Sequence, residues 1–424
     1  MVRRFAFLLA LLVPVAGAAQ LLPQVGTPRL PQVGEVVAGV SRNLGEVTDV
    51  PRAAVALARD RLDRITALVR NNRGRIARDE KGDPARAGEV LVDDPDDALI
   101  ADATAKGFVL IERGTIEGTD IGLARFASPA GQKLPAAIKA MRRIAGKRAV
   151  SADQLHFDSG ALCRAPGLSG ATAAAASGPM RIGMIDGGVA ATIGTRSEII
   201  RQGFARGAPS PSNHGSAIAS LLVGTGRVRG AATGAKLWAA DIYGSDPAGG
   251  NASAIAKALG WLSVQRVPVV VISLVGPANP LLARVVQAVR ARGTVIVAAV
   301  GNDGPAAPPS YPASYPGVIA VTGVDGKGRA LIEAGRALHL DYAAPGADML
   351  AANASGAEVM VRGTSFAAPL AAARLAHFHV RAEPSTIDAA IDAVNREAAD
   401  LGKRGDDPRY GRGVVCRTCA TPAR

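Results

Sequence analysis

Aromatic residues are scarce in this sequence: they make up only 4% of its 424 residues. Proteins that bind single-stranded nucleic acid usually stack the bases on aromatic side chains, so this composition argues against that class. The net charge of +13 does not point to nucleic acid either, because the basic residues are scattered along the chain rather than clustered in one patch. We therefore expect no nucleic-acid partner.

Long apolar runs are also rare. Arg3 and Arg4 precede an apolar run at residues 5–15, and small residues follow at 16–19. This order is typical of a secretory signal peptide, and the run is too short for a permanent transmembrane helix. An uncleaved membrane anchor is the alternative. We expect a signal peptide at 1–19 and a mature protein without a permanent membrane span, exported to the periplasm or the extracellular space.

Cysteine is used only three times, at Cys163, Cys416 and Cys419. An exported chain with an odd number of cysteines leaves one unpaired. Cys163 pairs with one of the two distant cysteines, or Cys416 and Cys419 form a local bridge, and the sequence does not choose between these pairings. No further Cys or His lies at ligand spacing, so we expect no zinc site.

The N-terminal part of the chain divides into three segments. Residues 20–87 contain a Pro- and Gly-rich linker and an amphipathic helix that starts near Pro51. Residues 88–158 show the order β-α-β-β-α-β, which predicts a small ferredoxin-like α+β domain. The Ala-, Gly- and Ser-rich residues 159–179 are interpreted as an exposed linker.

The C-terminal part, residues 180–415, alternates between apolar strands and helices and is followed by a tail at 416–424. Continuous apolar strands between helices predict an α/β fold with a mostly parallel sheet covered on both faces. The predicted strands are 181–185, 236–242, 267–274, 294–300 and 318–322, and the predicted helices are 215–223, 252–265, 279–291, 366–379 and 385–396. In such sheets, functional residues follow the carboxyl ends of the strands.

Three residues at such positions make a candidate catalytic set. Asp186 ends the first strand of this region, while His214 and Ser365 each open a helix. A serine hydroxyl is a weak nucleophile unless a base takes its proton and a third group orients that base. Asp, His and Ser at separate element ends are what this mechanism requires. Each residue taken alone is more often a turn or cap residue.

Asn302 is a candidate for the same site. It follows a predicted strand and Gly301, and its side-chain amide is suited to donate a hydrogen bond to an oxyanion. The backbone N–H of Ser365, at a helix N-terminus, is suited to donate a second one. The chain order Asp, His, Asn, Ser differs from the Ser, Asp, His order of α/β-hydrolases, and the Gly-x-Ser-x-Gly motif of those enzymes is absent around Ser365.

In these segments the sequence resembles the subtilisin-like serine peptidases, the subtilase family. The matching segments are Asp186, residues 214–216, 298–302, 311–316, 343–346, 363–369 and 410–414. The resemblance implies a three-layer subtilisin-like fold and a serine endopeptidase that acts on polypeptides. It also implies that Ser273, Leu274, Val275 and Gly276 pair with the backbone of the substrate. Three residues depart from the family pattern: Gly187 replaces Ser or Thr, Ser216 replaces Thr, and Phe366 replaces Met.

The resemblance also implies a role for residues 88–158, which stand where subtilases carry a propeptide that assists folding and blocks the active site. We expect a self-processing precursor with its cleavage site in residues 159–179. The chemistry requires no cofactor and no metal, and whether structural calcium binds is left undetermined. A catalytically silent protein that binds peptides and stays capped by its N-terminal domain is the alternative.

Overall fold

The computed structural model describes residues 52–158, 160–164 and 180–423. The expected signal peptide, the Pro- and Gly-rich linker that follows it, and residues 159 and 165–179 lie outside the described residues. Within the described part no helix is both long and apolar enough to cross a bilayer.

The N-terminal domain is an antiparallel five-stranded sheet with two helices, preceded by a long helix. Its elements are α1 (Arg52–Asn71), β1 (Ile76–Arg78), β2 (Pro84–Asp93), α2 (Asp97–Ala105), β3 (Val109–Thr115), β4 (Gly122–Ala127), α3 (Leu134–Ala145) and β5 (Val150–Gln154). The strands lie in the order β5-β2-β4-β3, and β1 pairs with the start of β2. The predicted order of strands and helices is therefore observed.

This sheet starts before the expected domain boundary at residue 88, because β1 and the first residues of β2 belong to it. Strand β1 has three residues, of which only Ile76 is buried, so it shows no alternating pattern that the sequence could reveal.

The C-terminal domain is built on a seven-stranded sheet in which all neighbouring strands are parallel. In spatial order it consists of β15 (Tyr342–Pro345), β14 (Ile319–Val324), β13 (Val295–Ala299), β11 (Val269–Ile272), β8 (Arg181–Asp186), β10 (Lys236–Asp241) and β9 (Ile199–Gly203). Five helices accompany it: α4 (Asn213–Val223), α5 (Ala252–Val264), α6 (Pro280–Ala291), α7 (Thr364–Phe378) and α8 (Ile387–Glu397).

Both faces of this sheet are apolar, so each strand contributes to two cores. In β11, Val269 and Val271 face the core that contains residues of α4, α7 and α8, and Val270 and Ile272 face the core that contains residues of α5 and α6. This alternation explains why the strands are continuous apolar runs in the sequence. The resulting three layers confirm the predicted α/β fold.

Five short strands of the described residues lie outside the two large sheets. Strand β6 (Phe157–Asp158) pairs with β12 (Leu274–Val275), while β7 (Ala161–Arg164) pairs with β17 (Glu358–Arg362), which also pairs with β16 (Met349–Ala352). The predicted strand 267–274 is therefore divided, because its end leaves the parallel sheet. Residues 161–164 of the expected 159–179 linker form β7.

The C-terminal residues 416–423 lie against the C-terminal domain, and Pro422 forms a bridge with Met349. Cys416 and Cys419 form a disulfide, and Cys163 is unpaired and exposed. Of the two pairings that the sequence left open, the structure has the local one.

Candidate active site

The fold brings the candidate residues to the carboxyl-end edge of the parallel sheet. Asp186 ends β8, His214 and Ser365 lie in the first turns of α4 and α7, and Asn302 follows β13. Ser212 caps α4, since its Oγ accepts a hydrogen bond from the N–H of Gly215 at 2.9 Å. The cap fixes where α4 begins and so where His214 stands.

Asp186 and His214 form a buried pair. The Nδ1 atom of His214 lies 3.0 Å from both carboxylate oxygens of Asp186, and the N–H of Gly187 donates to the same carboxylate at 2.7 Å. Burial raises the pKa of Asp186, because desolvation disfavours the carboxylate, while His214 and the Gly187 N–H oppose this shift. The pair holds the imidazole ring with Nδ1 toward Asp186.

Ser365 is fixed by a reciprocal contact with Ser273. The Ser365 hydroxyl donates to the carbonyl of Ser273 at 3.1 Å, and the Ser273 hydroxyl donates to the carbonyl of Ser365 at 2.8 Å. The ring of Phe366, the next residue, lies 5.4 Å from the ring of His214. Ser365 therefore stands between the Asp186–His214 pair and the strand expected to bind substrate.

Asn302 is oriented by Thr364, a residue that the sequence analysis did not single out. The Thr364 N–H donates to Oδ1 of Asn302 at 2.9 Å, and the Thr364 hydroxyl contacts the N–H and the carbonyl of Gly301 at 3.0 and 3.1 Å. With Oδ1 held in this way, the amide Nδ2 points away from Thr364. It is buried and has no hydrogen-bond partner among the described residues, so it is available to an oxyanion.

The cleft beside these residues holds a segment of the chain itself. Phe157 and Asp158 pair with Val275 and Leu274 of β12 on one side of Ser365, and β7 pairs with β17 on the other. Gly160 lies between these strands, and a Cβ atom on Gly363 would lie 2.8 Å from both the Gly160 Cα and the Nδ2 of Asn302. Residues 157–158 and 160–164 therefore lie along the candidate site in the manner of a bound peptide.

The residue before this segment occupies a closed pocket. The N–H of His156 donates to the carbonyl of Gly250 at 2.8 Å, and the Tyr243 hydroxyl donates to the carbonyl of His156 at 2.9 Å. Burial lowers the pKa of His156 to about 4, because the charged ring would be desolvated. His156 is therefore neutral in this position at neutral pH.

The N-terminal domain also contacts the helices of the C-terminal domain. The Asp153 carboxylate accepts hydrogen bonds from the N–H and from the hydroxyl of Ser253, each at 2.8 Å. Ser253 lies in the first turn of α5, where a carboxylate is favoured by the helix dipole. The Nδ2 of Asn279, which caps α6, donates to Oε1 of Gln154 at 2.6 Å. These contacts dock the edge strand β5 on two helix N-termini.

The four residues expected to bind substrate lie together along the cleft. Leu274 and Val275 form β12, Ser273 contacts Ser365, and Gly276 exchanges backbone hydrogen bonds with Tyr311 at 2.9 and 3.0 Å. In the described ranges no group of three or more His, Cys, Asp or Glu side chains is arranged to hold a metal ion.

Comparisons with known proteins identify the family of the chain. The sequence model of the Subtilase family matches residues 200–413, a range that contains His214, Asn302 and Ser365, while Asp186 precedes it. Subtilisin DY of Bacillus licheniformis is 30% identical over 247 residues, which cover 56% of this chain and 88% of that protein. The minor extracellular protease Epr of Bacillus subtilis strain 168 is 26% identical over 209 residues, which cover 48% of this chain and 32% of that protein.

A solved structure shares the fold. Fervidolysin from Fervidobacterium pennivorans, a keratinolytic enzyme related to subtilisin, matches with a TM-score of 0.62 over 80% of this chain and 61% of its own. At 16% identity this likeness shows the fold alone.

Proposed function

The chain belongs to the subtilase family of serine peptidases, and we propose that it is an exported serine endopeptidase, made as a precursor that cuts its own chain before it cuts other polypeptides. The observation that carries the proposal is that residues 157–158 and 161–164 each pair with a strand beside the site, on opposite sides of Ser365. The exported location is supported by the sequence of residues 1–19 and by the related extracellular protease of Bacillus subtilis.

The proposed chemistry is acyl transfer to Ser365. His214 takes the Ser365 proton as Oγ attacks the scissile carbonyl carbon, and Asp186 stabilises the imidazolium that forms. The negative oxygen accepts hydrogen bonds from Asn302 Nδ2 and the Ser365 N–H. The C–N bond then breaks, His214 returns the proton to the leaving amine, and water hydrolyses the acyl-enzyme by the same steps.

The register of the two pairings supports a particular cleavage bond in the precursor. Asp158 is opposite Leu274, and Ala161 is opposite Arg362, so the change from one pairing strand to the other falls between positions 158 and 161. The Gly160 Cα and Asn302 Nδ2, the proposed oxyanion donor, border the same small space, since a Cβ atom on Gly363 would lie 2.8 Å from each. We place the cleaved bond between Ser159 and Gly160, at the start of the predicted 159–179 segment. The N-terminal domain then acts as the propeptide and, once cut, as an inhibitor.

N-terminal sequencing of the secreted protein tests this proposal. The wild-type protein should begin at Gly160, or at a later residue if trimming follows, whereas Ser365→Ala should accumulate as a precursor that still contains the N-terminal domain. A fluorophosphonate probe should label the wild type and not the variant. An unprocessed and unlabelled wild type would support the capped, catalytically silent alternative.

A further inference from the structure

Strand β7 is fixed to the C-terminal domain, on the far side of the proposed cut. Its residues 161–164 pair with residues 359–362 of β17 in antiparallel register. The side chain of Leu162 packs against the core that contains residues of α4 and α7. Strand β17 is held in turn by β16, where the Ala352 N–H donates to the Ser220 Oγ of α4 at 2.9 Å. The cut therefore leaves the new amino end on an anchored strand.

Gly160, which receives the new amino group, is confined against the site. A Cβ atom on it would lie 2.6 Å from the Phe366 ring and 3.3 Å from the carbonyl oxygen of Arg362. Its Cα borders the same space as the Nδ2 of Asn302. The backbone of Gly160 is therefore close to the residue after Ser365 and to the proposed oxyanion donor.

The chain before the cut is held by contacts that do not depend on the broken bond. Phe157 and Asp158 pair with β12. The Asp153 carboxylate binds the first turn of α5, and Oε1 of Gln154 accepts a hydrogen bond from Asn279 at 2.6 Å. Both ends of the cut therefore remain in the cleft until the whole N-terminal region dissociates.

We propose that the enzyme also forms the peptide bond that it breaks, with the Gly160 amine as the acyl acceptor. This inference rests on the proposed function, since it requires both the acyl-enzyme at Ser365 and the cut before Gly160. Because the amine that leaves in the forward reaction is retained beside the site, the same steps run in reverse. The self-cut is then an equilibrium between joined and cut chains, and dissociation of the N-terminal region makes it irreversible.

The reverse reaction balances without a further reactant. Ser365 Oγ attacks the carboxyl group at the end of the N-terminal region, and one water leaves as the ester forms. The Gly160 nitrogen attacks the ester carbonyl, His214 takes a proton from the amine, and Asn302 donates to the oxyanion. The C–O bond to Ser365 then breaks, and His214 returns the proton to Oγ.

A retained amine has an advantage over water. Its reaction with the ester is intramolecular, and well-oriented groups of this kind reach effective concentrations on the order of 10⁵–10⁸ M. Hydrolytic water has to take the place of that amine. Hydrolysis therefore requires that Gly160 move aside, whereas rejoining does not.

Water labelled with the heavy isotope of oxygen tests the reversal on the whole protein. The processed complex, with Gly160 as its new amino end, is incubated in this water. Hydrolysis places the isotope in the new carboxyl group, and rejoining retains it in the carbonyl of the restored bond. Trypsin digestion in ordinary water then yields peptide 149–164, which spans that bond. We expect a labelled fraction of this peptide that grows with time, because chains that were never cut carry no label.

Two variants of β7 sharpen the test. Leu162→Asp puts a carboxylate against an apolar core, which should detach β7 and lower the labelled fraction at least about tenfold. Cys163→Ser is the matched control, because Cys163 is exposed and unpaired in the same strand. It should leave the labelled fraction unchanged. Each labelled fraction is divided by the amount of cut product, so that a variant with slower processing still gives a valid ratio.

The outcomes separate this inference from the proposed function. Label in the carboxyl group of the cut product but not in peptide 149–164, or an equal ratio in Leu162→Asp, would overturn the rejoining and leave self-processing standing. No cut product, together with no fluorophosphonate labelling, would overturn both.

Discussion

A Cβ atom on Gly187 would lie 2.3 Å from the Oγ of Ser212, well inside van der Waals contact. Gly187 follows Asp186, at the position where the family usually has Ser or Thr. Ser212 thus places a hydroxyl in the space that the family's side chain would need, while it also caps the helix that carries His214. The glycine at position 187 therefore leaves room for the hydroxyl of a neighbour distant in sequence.

Restoring the family residue should harm this protein. Gly187→Ser should lower the free energy of unfolding by about 1–3 kcal/mol, the usual range for overpacking, and reduce kcat. Adding Ser212→Gly should recover most of the stability, because glycine is itself an acceptable cap. Chemical denaturation and peptide hydrolysis measure both effects. A fully stable and active Gly187→Ser single variant would contradict this account.

Asn302→Ala should reduce kcat by about 10²–10³ with little change in KM, because the oxyanion exists only in the transition state. Asn302→Asp is the sharper variant: it keeps the acceptor for the Thr364 N–H but replaces the donor by a negative charge. It should be at least as impaired as the alanine variant. Steady-state kinetics at saturating substrate measure the effect, and a loss below about fivefold would remove Asn302 from the mechanism.

Gly160→Ala should slow self-processing at least about tenfold. A Cβ atom there would lie 2.6 Å from the Phe366 ring, and the φ angle of +135° is one that residues with side chains rarely adopt. Ala161→Ser is the matched control, because Ala161 is exposed in the next position. The fraction of precursor remaining with time, followed by gel electrophoresis, reports the rate. Equal rates for the glycine and alanine proteins would count against the Ser159–Gly160 bond.

Acidification should weaken the contact between the cleaved N-terminal region and the enzyme through His156. The docked ring has a pKa of about 4, whereas an exposed imidazole has a pKa of about 6.5. Docking therefore favours the neutral ring. Above pH 6.5 the ring is neutral in both states, and the association constant of the two parts has its full value. As the pH drops toward 4, this association constant falls by up to about 10²-fold.

The groups around His156 do not offset the lowering of its pKa. Neither ring nitrogen makes a hydrogen bond of normal geometry within the described residues, and the carbonyls of Gln154 and Pro277 oppose the shift only weakly. The Tyr243 phenol stays neutral, since burial raises its pKa. Gel filtration of the processed complex at pH 7 and pH 4.5 should show more dissociation at the lower pH. In His156→Phe the change should be smaller, and an identical pH response in both proteins would refute the role.

Local sequence patterns predicted most of the fold. The buried strands of the parallel sheet are continuous apolar runs, and Asp186, His214, Asn302 and Ser365 stand at element ends that the topology brings to one edge. Strand pairings between residues far apart in the sequence could not be predicted. The pairings of β6 with β12 and of β7 with β17 involve two to four residues each and leave no periodic signal.

Residues that act through packing were also missed. Thr364 looks like a helix-start residue in the sequence, and its contact with Asn302 depends on the distance between β13 and α7 in the folded chain. The arginines of α1 resemble a solvated helix face, and only the fold shows that two of them meet Asp303.

Strands β6 and β7 belong to one continuous segment, and the proposed cut falls between them. Before the cut, the N-terminal region is tethered to the catalytic domain, so the fraction of clefts that it occupies does not depend on the protein concentration. After the cut, β7 stays with the catalytic domain while β6, the ferredoxin-like domain and α1 become a separate molecule. The fraction of blocked enzyme then depends on total concentration, so secretion into a large volume would itself favour the active form.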